Sequence, residues 1–421
     1  MEMIQVVFLT VLVFFVIVTI HEWGHYYFAK RAGILVREFA IGFGPKIFSI
    51  KRGETRFTLR LIPAGGFVRM AGEDPEIVDV TPGQTIAVRV KDGKVTRLYL
   101  DRLDERSGVV RGEVVTIDLE KELFVTLDIE GESERFFVHP QALMITKGRE
   151  TQIAPYDRQF GSKSVGARAL SIFAGPMMNF VLAFVLFAVY MQMAGTPVNL
   201  LINEVSKGMP AEQAQLKQGD LIDAINGEKV GADFDKVISM IGSSVGVPLK
   251  LDILREGVVK QLEVTPVSDT QGVGKLGFTV SYETRNATFV ETITGSANLM
   301  KTMTINIFDG FKKIIMGQFK LDDLGGPVRT AEMTSEIARK GMTELTLWTG
   351  LLSLYLGIFN LLPIPALDGS RLIFLAIEAV RGRPISPNRE SFVHFIGFAL
   401  IMLLMLVVTY NDILRLVRGE Q

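Results

Sequence analysis

Four apolar runs set the strongest limit on how this chain can fold. They cover Ile4–Phe28, Ala169–Ala194, Leu345–Leu367 and Phe392–Tyr410, and a membrane-spanning helix needs about 20 such residues. A hydrophobic content of 48% over 421 residues also favours a membrane protein. The start of the first run carries no Lys or Arg, and no small-residue cleavage site follows it. We therefore interpret it as a retained span rather than a signal peptide.

Basic residues beside the runs predict the orientation of the spans, because Lys and Arg concentrate in cytoplasmic loops. We expect the connections after the first span and between the third and fourth to be cytoplasmic. The N-terminus, the region from about residue 195 to 340 and the tail would then lie outside. Arg415 and Arg418 in the tail argue against this orientation. The supporting residues are Lys30, Arg31, Arg37, Lys46, Lys51, Arg52, Arg158, Lys163, Arg168, Arg371, Arg381, Arg383 and Arg389.

Charge and cysteine content exclude several classes of protein. The formal net charge is -1, so no basic surplus indicates a nucleic-acid partner. The chain has no cysteine, which excludes disulfides, thiolate metal ligands and a cysteine nucleophile. A metal site would have to use His, Asp or Glu.

Two stretches between the first and second runs are of β type. Residues 36–70 combine the alternating FTLRL with turn signals at GFGP, KRGE and PAGG, which predicts short strands close to the membrane. The alternative is a hairpin that only anchors the first helix. From about residue 80 to 148, strand patterns follow one another at the spacing of an all-β insert. We interpret His139 in this insert as a structural residue.

The region expected outside the cytoplasm resembles a bacterial PDZ domain. Its residues 203–230 read NEVSKGMPAEQAQLKQGDLIDAINGEKV, with a predicted hairpin turn at Asn226 and Gly227. PDZ domains bind extended peptides by strand addition, so a peptide or a substrate could dock there. A β-rich spacer between two spans is the alternative. Beyond this domain, Ile305–Lys320 is predicted to be an amphipathic helix and Gly325–Val328 a turn.

The polar residues at the end of the first run carry the chemistry. His21, Glu22 and His25 form H-E-x-x-H, and positions i and i+4 of a helix share one face. Both imidazoles can therefore reach one metal ion, with Glu22 placed as general base for a water molecule. In a soluble helix the motif alone could be a polar coincidence. Ionisable groups in membrane segments are costly and mostly functional, which favours the metal site.

A catalytic zinc site normally has three protein ligands and one open position, so a third ligand is required. Asp368, at the cytoplasmic end of the third run, is the best candidate, and His394 in the fourth run is its competitor. The prolines before Asp368 interrupt the helix, and irregular backbone at membrane depth usually lines a cavity. Asn360 offers an amide that could hold a substrate carbonyl or an oxyanion. A hydrogen bond between helices would explain Asn360 nearly as well.

Three motifs together resemble the bacterial site-2 protease family of intramembrane zinc metalloproteases. They are HEWGH in the first run, GPMMNF at 175–180 in the second, and NLLPIPALDG at 360–369 in the third. The GFGP and PAGGFV stretches and the PDZ pattern match as well. The resemblance covers nearly the whole chain except the β insert. It is nearest to the regulators that release sigma factors, and the single PDZ domain departs from the tandem pair of Gram-negative members.

The resemblance implies a role for each matching residue. His21, His25 and Asp368 would bind Zn²⁺, and Glu22 would take a proton from water and pass it to the leaving amine. The family's substrates are single-span proteins already cut outside the membrane, so an anti-sigma factor is the expected substrate; remnant signal peptides and other single-span proteins are further candidates. The strands from Arg56 to Met70 resemble a sheet whose edge holds the substrate extended, with Gly65, Gly66 and Phe67 as contact residues. The PDZ domain would act as a size filter or docking site.

The predicted fold class is a polytopic α-helical membrane protein with four transmembrane helices, a membrane-associated β sheet, a cytoplasmic β insert and one extracytoplasmic PDZ domain. It would lie in the plasma membrane of a bacterium, with its active site towards the cytoplasm. The predicted boundaries are 1–30 (first transmembrane helix), 31–75 (membrane-associated β region), 76–150 (insert), 151–195 (second transmembrane helix), 196–280 (PDZ domain), 281–340 (amphipathic helix and linker), 341–370 (third transmembrane helix), 371–391 (cytoplasmic connection) and 392–421 (fourth transmembrane helix and tail).

Two other classes of function are compatible with parts of the sequence. A catalytically silent membrane scaffold would use the PDZ domain to recruit partners, but such relatives are expected to have lost a ligand or the glutamate. A transporter would also show intramembrane acids and broken helices. The absence of an inverted repeat among the four runs argues against a transporter.

Overall fold

The structure is a computed structural model that describes residues 3–73, 80–269, 272–318 and 325–418. The boundary predicted at residues 75 and 76 lies outside these ranges. The helices are α1 Met3–Arg31, α2 Val165–Ala194, α3 Pro210–Gln213, α4 Phe234–Gly242, α5 Phe289–Ile315, α6 Pro327–Lys340, α7 Met342–Leu361, α8 Asp368–Arg381 and α9 Pro387–Arg418. The strands are β1 Val36–Arg52, β2 Thr55–Met70, β3 Thr85–Lys91, β4 Lys94–Tyr99, β5 Val110–Asp118, β6 Phe124–Ile129, β7 Glu132–Thr146, β8 Arg149–Gln152, β9 Thr196–Val205, β10 Leu221–Ile225, β11 Glu228–Lys229, β12 Leu249–Arg255, β13 Val258–Val264, β14 Val267–Ser268, β15 Gly274–Lys275 and β16 Phe278–Arg285.

Four helices within the described ranges are long and apolar enough to cross a membrane, and they coincide with the four predicted runs. They are α1, α2, α7 and the segment Arg389–Arg418 of α9. The third span was predicted to reach Leu367, and this end is wrong. Helix α7 ends at Leu361, because Pro363 disfavours helical backbone in the residue before it. The connection predicted at 371–391 contains most of α8.

The chain forms two compact units, Met1–Leu186 with Thr302–Gln421, and Phe187–Lys301. In the first unit, β1 and β2 are long, bent strands that form a sheet beside α1. The register of β1 on β2 shifts, so that residues 38–41 lie between residues 56–59 on one side and 66–69 on the other. Large apolar side chains on this sheet, such as Phe48 and Leu61, are about 60% exposed (59% and 60%). Such a surface fits the predicted contact with a membrane.

The predicted β insert is a closed barrel. Strands β3 to β8 form one sheet, and β4 pairs with β7 as well as with β3, which closes the sheet on itself. Its interior is filled by aliphatic side chains such as Val88, Leu98 and Leu127. His139 makes a local contact, in which its Nδ1 accepts the amide N–H of Gln141 at 3.1 Å. This is the behaviour expected of a structural histidine.

The second unit contains the region predicted as a PDZ domain. Five strands form a sheet in the order β13-β12-β10-β9-β16, with β11 on β10 and the helices α3 and α4 alongside. Asn226 and Gly227 have positive φ values of 54° and 81°, which the predicted hairpin turn requires. The sheet runs to Arg285 and so passes the predicted boundary at residue 280.

The segment predicted as an amphipathic helix and linker contains two helices. Helix α5 begins at Phe289, well before the predicted start at Ile305, and the last two residues of that prediction, 319 and 320, lie outside the described ranges. Helix α6 was not predicted. It begins at Pro327, where Asp412 of α9 accepts the amide N–H of Arg329 at 3.1 Å. A carboxylate from a distant helix thus caps α6, and nothing local in the sequence indicates it.

Glu54, in the turn between β1 and β2, joins three parts of the first unit. Its carboxylate accepts hydrogen bonds from Arg158 Nη2 (2.8 Å) and from Gln152 Nε2 (2.9 Å), and it lies 3.6 Å from Lys30 Nζ. These partners belong to the segment before α2, the last strand of the barrel and the end of α1. The hydrogen bonds from Arg158 lower the pKa of Glu54 to about 2. The ion pair therefore fixes the sheet against both the barrel and the helices.

Replacing Glu54 by Gln is expected to destabilise the protein by about 1–3 kcal/mol, because hydrogen bonds to a charged group are lost. The pKa of Glu54 in the folded state is below the reference value of 4.5. Its contribution should therefore be complete above pH 4.5 and disappear as the pH falls towards 2. Thermal unfolding of both proteins in detergent against pH measures this. The control Glu134→Gln, in an exposed part of β7, should change nothing; an equal effect of both variants would contradict the prediction.

Candidate active site

The predicted histidines lie on one buried face of α1. His21, Glu22 and His25 are each only 7% exposed, although the helix around them is apolar. The Nε2 atoms of the two histidines are 3.2 Å apart. The two imidazole rings are close together because the i, i+4 spacing places them on the same face of the helix, one turn apart.

Asp368, the first residue of α8, reaches the same point from another helix. Its Oδ2 lies 3.3 Å from His21 Nε2 and 3.4 Å from His25 Nε2. The three atoms that could ligate a metal lie within 4.8 Å of one another. Oδ2 is buried and accepts no conventional hydrogen bond among the described residues. A buried carboxylate oxygen facing two imidazole nitrogens fits a bound cation such as Zn²⁺, since His and Asp are common zinc ligands.

The other nitrogen of each histidine is engaged by α2. His25 Nδ1 donates to the carbonyl oxygen of Ser171 at 2.9 Å, which leaves the lone pair on Nε2. The side-chain nitrogen Nδ2 of Asn179 lies 3.2 Å from His21 Nδ1, and the amide oxygen Oδ1 has no hydrogen-bond partner among the described residues. A half rotation of this amide lets that oxygen accept the N–H of Nδ1. Partners of this kind orient metal-binding histidines.

The role of Asn179 was missed at the sequence level. It was noticed only as part of GPMMNF, where it matches a family position, and no contact with His21 was predicted. The carbonyl oxygen of Asn179 also accepts a hydrogen bond from Ser353 of α7 at 2.9 Å. An amide within an apolar run is a sequence signal that could have indicated a partner on another helix, and Asn179 is fully buried in the structure.

Two glycines let α1 and α2 approach closely enough for these contacts. A Cβ atom on Gly24 would lie 2.3 Å from the carbonyl oxygen of Ala174. A Cβ on Gly175 would lie 2.2 Å from His25 Nε2. The small residues therefore allow the helix pair to pack and also keep open the space beside the nitrogen that faces Asp368.

The backbone before Asp368 turns sharply. Gly369 lies against the end of α7, where a Cβ would be 2.3 Å from the carbonyl oxygens of Leu361 and Leu362. Ser370 Oγ donates to the carbonyl of Leu367 at 2.7 Å. Pro363 and Pro365 therefore lie in a compact turn between α7 and α8, and Asp368 begins the new helix directly after it.

His394, the competing third ligand, lies outside the cluster. Its Nδ1 accepts the amide N–H of Ala366 at 3.1 Å, and its Nε2 lies 3.7 Å from Glu390 Oε1. Both nitrogens therefore face partners other than His21 and His25. The geometry favours Asp368 over His394.

The residues predicted to bind substrate have different surroundings. Asn360 Nδ2 donates to the carbonyl of Leu356 in its own helix at 3.1 Å. Gly66 lies directly over Glu22, so that a Cβ there would be 2.8 Å from Glu22 Cγ. Gly65 has a φ of 96° and packs against the ring of Phe43, while Phe67 follows on the same strand beneath the guanidinium of Arg60. The sheet thus reaches the H-E-x-x-H motif at Gly66.

Comparison with known proteins identifies the family. The model of peptidase family M50 matches residues 9–404. The chain belongs to peptidase family M50. It is 44% identical over 417 residues to the zinc metalloprotease RasP of Geobacillus kaustophilus, with 98% of each chain covered. It is 42% identical over 415 residues to the regulator of sigma-W protease RasP of Bacillus subtilis, covering 96% of this chain and 97% of that protein.

A further relative is the zinc metalloprotease RasP of Oceanobacillus iheyensis, which is 43% identical over 420 residues, with 96% of this chain and 98% of that protein covered. Among solved structures, the PDZ domain of an SdrC-like protein from Listeria monocytogenes is similar to 20% of this chain and 90% of its own, with 25% identity and a TM-score of 0.19. Membership of family M50 makes this chain a membrane-embedded zinc metalloprotease. The predicted enzyme class and cofactor are confirmed.

Replacing Gly175 by Ala should disturb the cluster, because the new methyl group needs the space of His25 Nε2. We expect purified Gly175→Ala protein to bind less zinc than the wild type, measured by elemental analysis, with activity falling in parallel. Gly166→Ala is the matched control on the same helix, since nothing lies within 4 Å of its Cβ. Equal zinc content in both variants would contradict the close packing at Gly175.

Proposed function

We propose that His21, His25 and Asp368 hold the zinc of this metalloprotease, and that Glu22 is its general base. The proposal is supported by the convergence of two imidazole nitrogens and one carboxylate oxygen within 4.8 Å. When bound, zinc acts as a Lewis acid that polarises the scissile carbonyl and makes water more acidic. Ser171 and Asn179 orient the two imidazoles through their Nδ1 atoms.

Glu22 carries the proton in the proposed reaction. It accepts a proton from the attacking water, while the oxygen of that water forms a bond to the carbonyl carbon of the scissile peptide. It then delivers the proton to the amide nitrogen as the C–N bond breaks, so that a carboxylic acid and an amine leave. Its position on α1 between the two histidines suits both transfers.

We propose that the edge of the β1–β2 sheet presents the substrate. Residues 66–69 pair with residues 38–41 on one side, and on the other side no strand of the described ranges pairs with them. A substrate segment can add to such an edge through main-chain hydrogen bonds. Strand addition also solves the problem of a transmembrane substrate, whose helical peptide bonds are shielded until the segment is extended. Gly66, which contacts Glu22, brings this edge to the catalytic residue.

We infer that the physiological substrate is a single-span anti-sigma factor that another protease has already cut outside the membrane. The Bacillus subtilis relative is named a regulator of sigma-W protease, which supports this class of substrate. The basic residues beside the spans support an active site towards the cytoplasm and a second unit outside it. In that unit β16 is an edge strand of the sheet. A peptide could add to this edge, or the unit could hold back a bulky substrate. The proposed role of the PDZ domain is therefore docking or size selection.

Two substitutions separate the base from the ligands. Glu22→Gln should retain zinc but lose cleavage of a single-span model substrate by more than about 100-fold, because general-base catalysis is removed. Asp368→Asn should lose both zinc and cleavage. Zinc content by elemental analysis and fragment formation in detergent or liposomes measure the two properties. Persistent cleavage by Glu22→Gln, or full zinc retention by Asp368→Asn, would contradict the proposed roles.

Gly66→Ala tests the sheet edge. The new methyl group would press on Glu22 and on the carbonyl of Ala40, so we expect slower cleavage with unchanged zinc content. Gly161→Ala is the matched control, since its Cβ meets open space. Initial rates over a range of substrate concentrations give KM and kcat for both. Identical kinetics in the two variants would show that the strand at Gly66 does not approach the reacting bond.

A further inference from the structure

The turn that presents Asp368 contains a strained residue. Ala366, two residues before Asp368, has a φ of 79°, in the left-handed region that residues other than glycine seldom adopt. Such a conformation persists only where the surrounding structure holds it in place. The position of Asp368 therefore depends on what restrains Ala366.

Helix α9 supplies the restraint. His394 Nδ1 accepts the amide N–H of Ala366 at 3.1 Å. Gly397, on the same face of α9, lies against the preceding residue, since a Cβ there would be 2.2 Å from Pro365 Cβ and 2.6 Å from the Pro365 carbonyl oxygen. A hydrogen bond and a close packing contact from one helix thus fix two successive residues of the turn.

His394 is itself held in one orientation. Its ring meets the ring of Phe374 edge to face, with centroids 5.6 Å apart, and Phe374 belongs to α8, the helix that Asp368 begins. Because Nδ1 accepts an N–H, the ring proton lies on Nε2, which is 3.7 Å from Glu390 Oε1 and makes no hydrogen bond among the described residues. The histidine therefore connects α9, the turn and α8 at one point.

An open cavity borders these residues. It has a volume of about 680 Å³, and its lining includes Ala366, His394 and the ion pair of Arg168 with Glu378. Water in this open cavity, beside its ion pair, can replace the histidine nitrogen as acceptor for the Ala366 amide. Loss of the imidazole should therefore release the turn without leaving a buried amide unsatisfied, so a folded variant is expected.

We propose that His394 is a positioning residue for the metal site: through the Ala366 amide it fixes the turn from which Asp368 reaches His21 and His25. The inference rests on the proposed role of Asp368 as the third zinc ligand. It assigns a function to α9, which contributes no ligand of its own to the cluster. It also assigns a role to His394, which the sequence analysis considered as the alternative to Asp368 for the third ligand.

The test uses the positions of the acceptor atoms. In His394→Asn the amide oxygen can occupy the place of Nδ1, whereas in His394→Gln it lies farther out, near the place of Nε2. We expect Gln and Ala at this position to weaken zinc binding by about 10-fold, the lower end of the effect known for residues that orient ligands. Asn should restore an affinity close to that of the wild type. Competition with a chelator gives the affinity of the purified full-length protein.

The visible spectrum of the Co²⁺-substituted protein gives a readout that a general loss of stability does not produce. Its bands should shift in His394→Gln and return towards the wild type in His394→Asn. His139→Ala is the matched control, because His139 Nδ1 also accepts an amide N–H, but in the barrel. Thermal unfolding shows whether each variant is folded. If His394→Ala is not folded, the comparison of His394→Asn with His394→Gln still tests the positioning role.

Wild-type zinc affinity in both His394→Ala and His394→Gln would overturn the inference, as would equal weakening by Asn and Gln. Failure of the proposal that Asp368 is the third zinc ligand would give a different result. If Asp368→Asn bound zinc as tightly as the wild type, Asp368 would not be a ligand. If Asp368→Asn lost zinc while every His394 variant kept it, the ligand assignment would stand and only the positioning role would fail.

Discussion

The structure depends on bringing the Nε2 atoms of His21 and His25 together with Oδ2 of Asp368. Polar groups in a membrane span are unfavourable unless they find partners, and here each group's partners come from a different helix. Helix α1 supplies the imidazoles, α2 accepts or faces their Nδ1 atoms, and α8 supplies the carboxylate. These three helices are therefore held in one arrangement by a few polar contacts, since apolar surface alone provides little specificity within lipid.

The backbone is adapted to these contacts in two ways. Between α1 and α2, Gly24 and Gly175 remove side chains where the helices and the imidazole meet. Around Asp368, the break after Leu361, the left-handed Ala366 and the close approach of Gly397 bring the start of a new helix to the two histidines. The β1–β2 sheet then reaches the same place from another side through Gly66. The proposed ligands, the proposed base and the proposed substrate-binding edge are thus close together although they are distant in sequence.

Much of this arrangement could be predicted, because short-range patterns carry it. The spacing of His21 and His25 predicts a shared helix face, and the length of the apolar runs predicts the spans. Asp368 was chosen as the candidate because a third ligand was required and few acids were suitably placed, and the structure places its carboxylate beside both histidines. Other features could not be predicted, since they depend on residues far apart in the sequence. The cap of α6 by Asp412, the contact of Asn179 with His21 and the closure of the barrel between β4 and β7 are of this kind.

The central claim is that two histidines and one aspartate hold a single zinc ion. Zinc K-edge X-ray absorption of the purified wild-type protein tests it most directly, because imidazole rings give characteristic multiple scattering. The account predicts two imidazoles per zinc, with all nearest neighbours nitrogen or oxygen at about 2.0–2.1 Å. A spectrum with no imidazole would contradict it. A spectrum with three would show that a third histidine has taken the place assigned to Asp368.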